Sequence, residues 1–196
     1  MNLVDRAKNI IMSPKTEWEA IANEPADMGG IFTGYVIPMA LIPAIASFIG
    51  YGFIGLGFIS GVTWGIAYAL ISLLSSLIGV FLLAFVINLL APSFGSEKDQ
   101  GRAMQLVAYS YTPMWVGGIL YVFPVIGAIG ALFGLYGLYL MFLGFPHTMK
   151  TPQDKVVVYM IVAVIVLMII YFVVAGILTT VIFSIFGFGL MSVMGG

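Results

Sequence analysis

The sequence has very little charge. Of its 196 residues only 8% are charged, against about 25% in soluble domains. No Asp, Glu, Lys, Arg or His occurs between Asp27 and Glu97 or after Lys155, and only His147 occurs between Arg102 and Lys150. Stretches of this length cannot cover themselves with a polar surface in water. We therefore predict an integral membrane protein.

Cysteine is absent and basic residues are few. The first absence excludes disulfides, thiolate nucleophiles and thiolate metal sites. The second removes the electrostatic surface that nucleic-acid binding requires. The acidic residues near the N-terminus match no calcium-loop spacing, and no set of nucleophile, base and orienting group can be assembled. We expect no enzyme activity, no cofactor, no metal and no nucleic-acid partner.

The long apolar stretches divide into five spans when each is given the roughly 20 residues that a membrane helix needs. A glycine-rich turn separates the first two spans, and Pro124 separates the third and fourth, which we expect to form a hairpin. The predicted spans are 31–49, 62–90, 103–123, 125–145 and 156–186. A small uncharged tail ends the chain at Gly196.

The basic residues predict the orientation, because cytoplasmic loops are enriched in lysine and arginine. With five spans, all seven basic residues fall on one side: Arg6, Lys8, Lys15, Lys98, Arg102, Lys150 and Lys155. The fold class is therefore an all-α integral membrane protein with five transmembrane helices, a cytoplasmic N-terminus and an external C-terminus.

A short amphipathic segment precedes the spans. Leu3, Ala7, Ile10 and Ile11 recur at helical spacing, and we divide the chain into a cytoplasmic leader (1–29) and a transmembrane domain (30–196). The leader either pads the cytoplasmic face of the bundle, which we favour, or docks a partner. Trp18 and His147 are expected at the membrane interface, where aromatic and amphipathic side chains concentrate.

Glycine is more informative than charge in the fourth span. Small residues let helices in lipid approach closely, and five glycines follow a heptad-like spacing there: Gly127, Gly130, Gly134, Gly137 and Gly144. This glycine face is predicted to pack against the third span, and oligomerisation through it is the alternative.

Polar side chains within the spans need partners where water is absent. Pro113 frees a carbonyl in the third span, and we expect the Tyr136 hydroxyl to satisfy it. Together with Tyr109, Tyr139 and Asn88, these residues either hold helices together or line a small polar cavity for a lipid headgroup or neutral solute. Ser96 and Thr151 are predicted to begin the third and fifth helices.

Several short motifs in order make the chain resemble a known family. They are 108–113 (AYSYTP), 134–140 (GLYGLYL) with Gly144, 148–152 (TMKTP) with Lys155, and 10–14 (IIMSP) with Trp18 and Ile21. Together they resemble the Yip domain family of Ypt/Rab-interacting proteins, and in particular its bacterial members. The resemblance implies five membrane helices, a cytoplasmic N-terminus and, for a bacterial member, the inner membrane. Eukaryotic relatives act in vesicle traffic through Rab GTPases, but the leader here is short and suggests no GTPase-docking domain.

The function predicted from these features is a non-enzymatic membrane scaffold that organises lipids or partner membrane proteins, including other copies of itself. The alternative is a channel or carrier for a small uncharged solute or lipid. Its path would follow the glycine face, Tyr136, Tyr139 and Asn88.

Overall fold

The computed structural model describes residues 2–57 and 59–187, and these residues are almost entirely helical. A single isolated bridge, between Leu56 and Ile59, is the only strand-like pairing among them. The all-α prediction is confirmed. The helices are α1 (Leu3–Met12), α2 (Pro14–Ala22), α3 (Met28–Ile54), α4 (Val62–Leu90), α5 (Gln100–Ser110), α6 (Thr112–Gly117), α7 (Ala131–Thr148) and α8 (Val156–Ile185), with 3₁₀ turns at Ala91–Phe94, Gly118–Val122 and Gly127–Gly130.

Three of these helices, α3, α4 and α8, are long and apolar enough to cross a membrane within the described residues. The predicted limits of the second span are confirmed by α4, and those of the fifth differ from α8 by one residue. The first span is longer than predicted, because α3 begins three residues earlier, at Met28, and a π-helical turn at Gly50–Ile54 extends its other end. The glycine-rich turn follows, with Gly55 and Gly57 at positive φ. Residues 188–196 of the predicted tail lie outside the described residues.

The third and fourth predicted spans are less regular than expected. Residues 103–123 form two short helices and a 3₁₀ turn, because Pro113 lies in the first turn of α6 and interrupts the backbone pattern of α5. The fourth helix begins at Ala131 rather than Val125 and ends at Thr148. The predicted hairpin nevertheless forms, since α5 and α6 both pack against α7 and the chain turns around Pro124.

Helix α5 lies at the centre of the core. Nearly every residue from Gly101 to Ser110 is buried, and α5 contacts α4, α7 and the first turn of α3. The leader helices close the same end of the bundle, with α2 against α7 and α1 against α6. The leader therefore packs on the bundle, and its role in docking a partner stays a prediction.

The loop before α5, which carries Lys98, and the loop before α8, which carries Lys150, meet at this end. The Ser96 and Thr151 hydroxyls are 2.8 Å apart, and Lys150 Nζ donates to Glu97 Oε1 at 2.8 Å. The helix starts predicted at these two hydroxyls were wrong, because their oxygens bond to each other. Asp99 caps α5 instead, accepting from the Arg102 amide at 2.9 Å, and α8 begins after Lys155.

Candidate functional site

The glycine face of α7 is packed against protein over most of its length. A methyl group built on Gly137 would lie 2.7 Å from the Ser110 carbonyl oxygen, and one on Gly144 would lie 2.7 Å from the Trp18 ring. Gly134 is the exception, with only the Met114 sulfur at 3.9 Å. The predicted close approach of the third and fourth spans is therefore present at Gly137. The channel path predicted along this face is closed there.

Two further residues of the predicted glycine face precede α7, in the 3₁₀ turn at Gly127–Gly130. A methyl group on Gly130 would lie 3.4 Å from the Gly117 carbonyl oxygen, and one on Gly127 would lie 3.1 Å from the Tyr121 ring. They pack the hairpin near its tip rather than extending a helical seam.

Tyr136 does not bond to the third span. Its hydroxyl donates to the Ile11 carbonyl oxygen of the leader at 2.7 Å, so the predicted bond to a carbonyl freed by Pro113 was wrong. The Ile11 carbonyl at the end of α1 lies within reach of the Tyr136 hydroxyl, and α1 packs on α6. Pro113 and Tyr136 instead line a largely apolar groove with Ile11. Tyr139 is exposed, with its ring centroid 5.7 Å from that of Tyr136.

Tyr109 belongs to a charged cluster that the sequence patterns did not predict. The Arg6 guanidinium lies 5.2 Å from the centre of the Tyr109 ring, donates to Glu17 at 2.6 Å and also bonds to Glu24. Arg6 is only 5% exposed. Arg6 is not among the apolar residues of the predicted amphipathic pattern, whereas in the structure it is buried, as is Ile10 of the same helix. The sequence did contain a signal for this burial, because residues four apart, such as Arg6 and Ile10, lie on the same face of a helix.

The remaining predicted residues lie in different environments. Trp18 is completely buried, which differs from the expected position facing lipid headgroups, because its ring fills the space beside Gly144. His147 is exposed in the last turn of α7. The Asn88 side-chain oxygen is buried and makes no hydrogen bond to the described residues. The groove that Tyr136 lines includes neither Asn88 nor Tyr139.

A cleft of about 350 Å³ lies elsewhere, between α4, α6 and α8, with Pro43 of α3 at its edge. Serine and tyrosine side chains form its polar wall, and we call it the hydroxyl cleft. Its hydroxyl-bearing residues are Ser72, Ser75, Ser76, Tyr111, Tyr121 and Tyr171. The predicted cavity lining was a different set, in which Tyr136 and Tyr139 of α7 accompanied Tyr109, Pro113 and Asn88. The signal for this cleft was the spacing of three serines on one face of α4.

The long apolar helices and the packed hairpin define a helical multi-pass membrane protein, as predicted from the lack of charge. The family model for the Yip1 domain matches residues 8–176. Because this match covers most of the sequence, the chain belongs to the Yip1 domain family, and the resemblance drawn from its motifs is confirmed.

Two curated proteins are similar to this chain. Both are named inner membrane protein YohC, one from Escherichia coli strain K12 and one from Escherichia coli O6:H1 strain CFT073. Each is 29% identical to this chain over 119 residues, which cover 58% of this chain and 61% of the relative. The match thus spans about three fifths of their length. No solved structure matches the chain. The names of these relatives place them in the inner membrane, which agrees with the predicted location.

Proposed function

We propose that this protein is a non-enzymatic scaffold of the inner membrane that organises lipids or partner membrane proteins. The exposed surface of α8 carries the proposal. Only 11% of the most apolar 18-residue stretch of α8 is buried inside the protein, and the Phe172 side chain is 83% exposed. A largely apolar helix of 30 residues that packs mainly on α4 must cover its other sides with lipid or with another protein.

The rigid end formed by the leader supports the same role. Arg6 lies over the Tyr109 ring of α5 and Trp18 packs against Gly144 of α7, so that α1 and α2 form a packed surface at this end of the bundle. A surface held by packing can present partners in a defined arrangement. The proposal requires no chemical step and no cofactor.

The proposal includes five spans with the N-terminus inside. The hairpin tip supports this topology, because a methyl group on Gly50 at the far end of α3 would collide with the Tyr121 carbonyl. The hairpin thus extends beside nearly the whole of α3. An odd number of crossings would also place all seven basic residues on one side.

Photocrosslinking in native membranes tests the scaffold role. A photoreactive amino acid at Ile169 or Phe172, both on the exposed side of α8, should give discrete protein adducts or a selected lipid adduct. The matched control is the same amino acid at Ala163, which is buried on α8 and should give only internal adducts.

Two results would count against a scaffold. One is adduct formation at Ile169 and Phe172 that simply follows bulk lipid composition. The other is specific transport of an ion or neutral solute by the purified protein in liposomes, if a Gly134→Leu change abolished the transport without unfolding the protein.

A further inference from the structure

The hydroxyl cleft lies deep in the predicted bilayer. Ser75 is near the middle of α4, and Tyr171 is near the middle of α8. Both helices are long enough to cross a membrane, so the midpoint of each lies close to the bilayer centre. The polar side of the cleft therefore faces a region where water is scarce.

Most of the hydroxyls in this cleft have no protein partner among the described residues. Trp115 Nε1 donates to Ser76 Oγ at 2.6 Å. The other five make no side-chain hydrogen bond there: Ser72, Ser75, Tyr111, Tyr121 and Tyr171. Groups without hydrogen bonds are costly in hydrocarbon, so their proximity in one cleft points to a bound polar group.

Hydroxyls on the lipid-facing side of α8 behave differently. Thr180 donates to the Gly176 carbonyl at 2.8 Å, and Ser184 donates to the Thr180 carbonyl at 2.8 Å. In membrane helices, the hydroxyl of Ser or Thr commonly donates in this way to the backbone carbonyl four residues earlier. Ser72 and Ser75 could use the same bond but do not, which leaves their hydroxyls available to the cleft.

The lining defines the chemistry of the ligand. None of the residues that line the cleft is charged at neutral pH, and a low-dielectric site disfavours a charged group without a counter-ion. Leu167 and Met114 supply apolar walls. Met168, at the cleft, is more than half exposed, and α8 packs on α4 rather than on α6. Access is therefore sideways, from the lipid.

We propose that the hydroxyl cleft binds an uncharged lipid whose small head carries hydroxyl or carbonyl oxygens, with the hydrocarbon tail leaving between α6 and α8. The volume of about 350 Å³ suits such a head. The inference does not depend on the scaffold role, because crosslinking of α8 to partners can succeed or fail whichever molecule occupies the cleft.

Photoactivatable lipids test this site. The full chain is placed in phosphatidylethanolamine nanodiscs with either a photoactivatable diacylglycerol or a phosphatidylglycerol that bears the same chains and photoreactive group. Diacylglycerol should label the cleft segments of α4 and α8, and unlabelled diacylglycerol should compete. A Ser72→Ala/Ser75→Ala variant should reduce the labelling about tenfold at subsaturating probe, because two hydrogen bonds are lost.

Thr180→Val is the matched control, since it removes a hydroxyl of α8 outside the cleft and should leave labelling unchanged. Competition on the unmodified protein gives an answer even if the double variant fails to fold. The proposal is overturned if phosphatidylglycerol labels or competes equally well, or if a folded double variant keeps full labelling. It is also overturned if diacylglycerol does not label the cleft, and glycerol flux through liposomes that the double variant abolishes would then assign the cleft to a solute instead.

Discussion

Arg6 shows, at the scale of single residues, how a cation can be buried beside a membrane domain. Its guanidinium pairs with Glu17 and Glu24 and lies over the Tyr109 ring. Removing one partner from such a cluster leaves uncompensated charge in a poorly solvated site. We expect Arg6→Gln to lower the free energy of unfolding in mild detergent by about 3 kcal/mol, less than for a fully buried pair because Glu24 is partly exposed.

Lys8→Gln is the control for Arg6→Gln, since it removes the same charge from an exposed position of α1. It should change the free energy of unfolding by less than about 0.5 kcal/mol. Equal effects of the two substitutions would show that the leader responds to net charge rather than to the buried cluster.

Tyr136 provides a second test at the residue scale. Its hydroxyl holds the end of α1 through the Ile11 carbonyl. Tyr136→Phe should cost about 1 kcal/mol and speed amide hydrogen exchange in α1. Tyr139→Phe alters a neighbouring exposed tyrosine and should leave that exchange unchanged. If amide exchange in α1 does not change in Tyr136→Phe, the Tyr136 hydroxyl does not anchor the leader.

The contact between α5 and α7 is the feature to test at the scale of elements. A methyl group on Gly137 would be forced against the backbone carbonyl of Ser110, whereas one on Gly134 would make only an ordinary contact with the Met114 sulfur at 3.9 Å. We expect Gly137→Ala to destabilise the protein by about 2 kcal/mol. Gly134→Ala should be neutral or slightly stabilising, because alanine favours the helix. Thermal unfolding in detergent compares them, and equal melting temperatures would refute the close approach.

The number of crossings is a property of the whole molecule. The absence of natural cysteine allows single cysteines to report exposure without background. Val125 at the hairpin tip is 78% exposed, and five spans place it outside. Val125→Cys in intact cells should react with a membrane-impermeant maleimide added outside, whereas Lys98→Cys should react only after permeabilisation. Reaction of Val125→Cys only after permeabilisation would mean that the hairpin enters and leaves on the cytoplasmic side.

Parts of the fold could be predicted where local composition decides the outcome. Long apolar runs predicted α4 and α8 almost to the residue, because hydrocarbon accepts a helix of that length and few other structures. The third and fourth spans were predicted less well. Pro113 redirects the backbone there, and the polar start of α5 is buried by neighbouring helices rather than by lipid.

The sequence by itself determined the membrane environment, the approximate ends of the long helices and the close approach at Gly137, because each depends on composition or on spacing along one segment. Only the tertiary structure decided that Arg6 is buried, that Tyr136 bonds to the leader, and that serines of α4 face tyrosines from the third and fifth predicted spans. Those contacts join residues far apart in the chain. Their partners depend on how helices stack, which no single segment encodes.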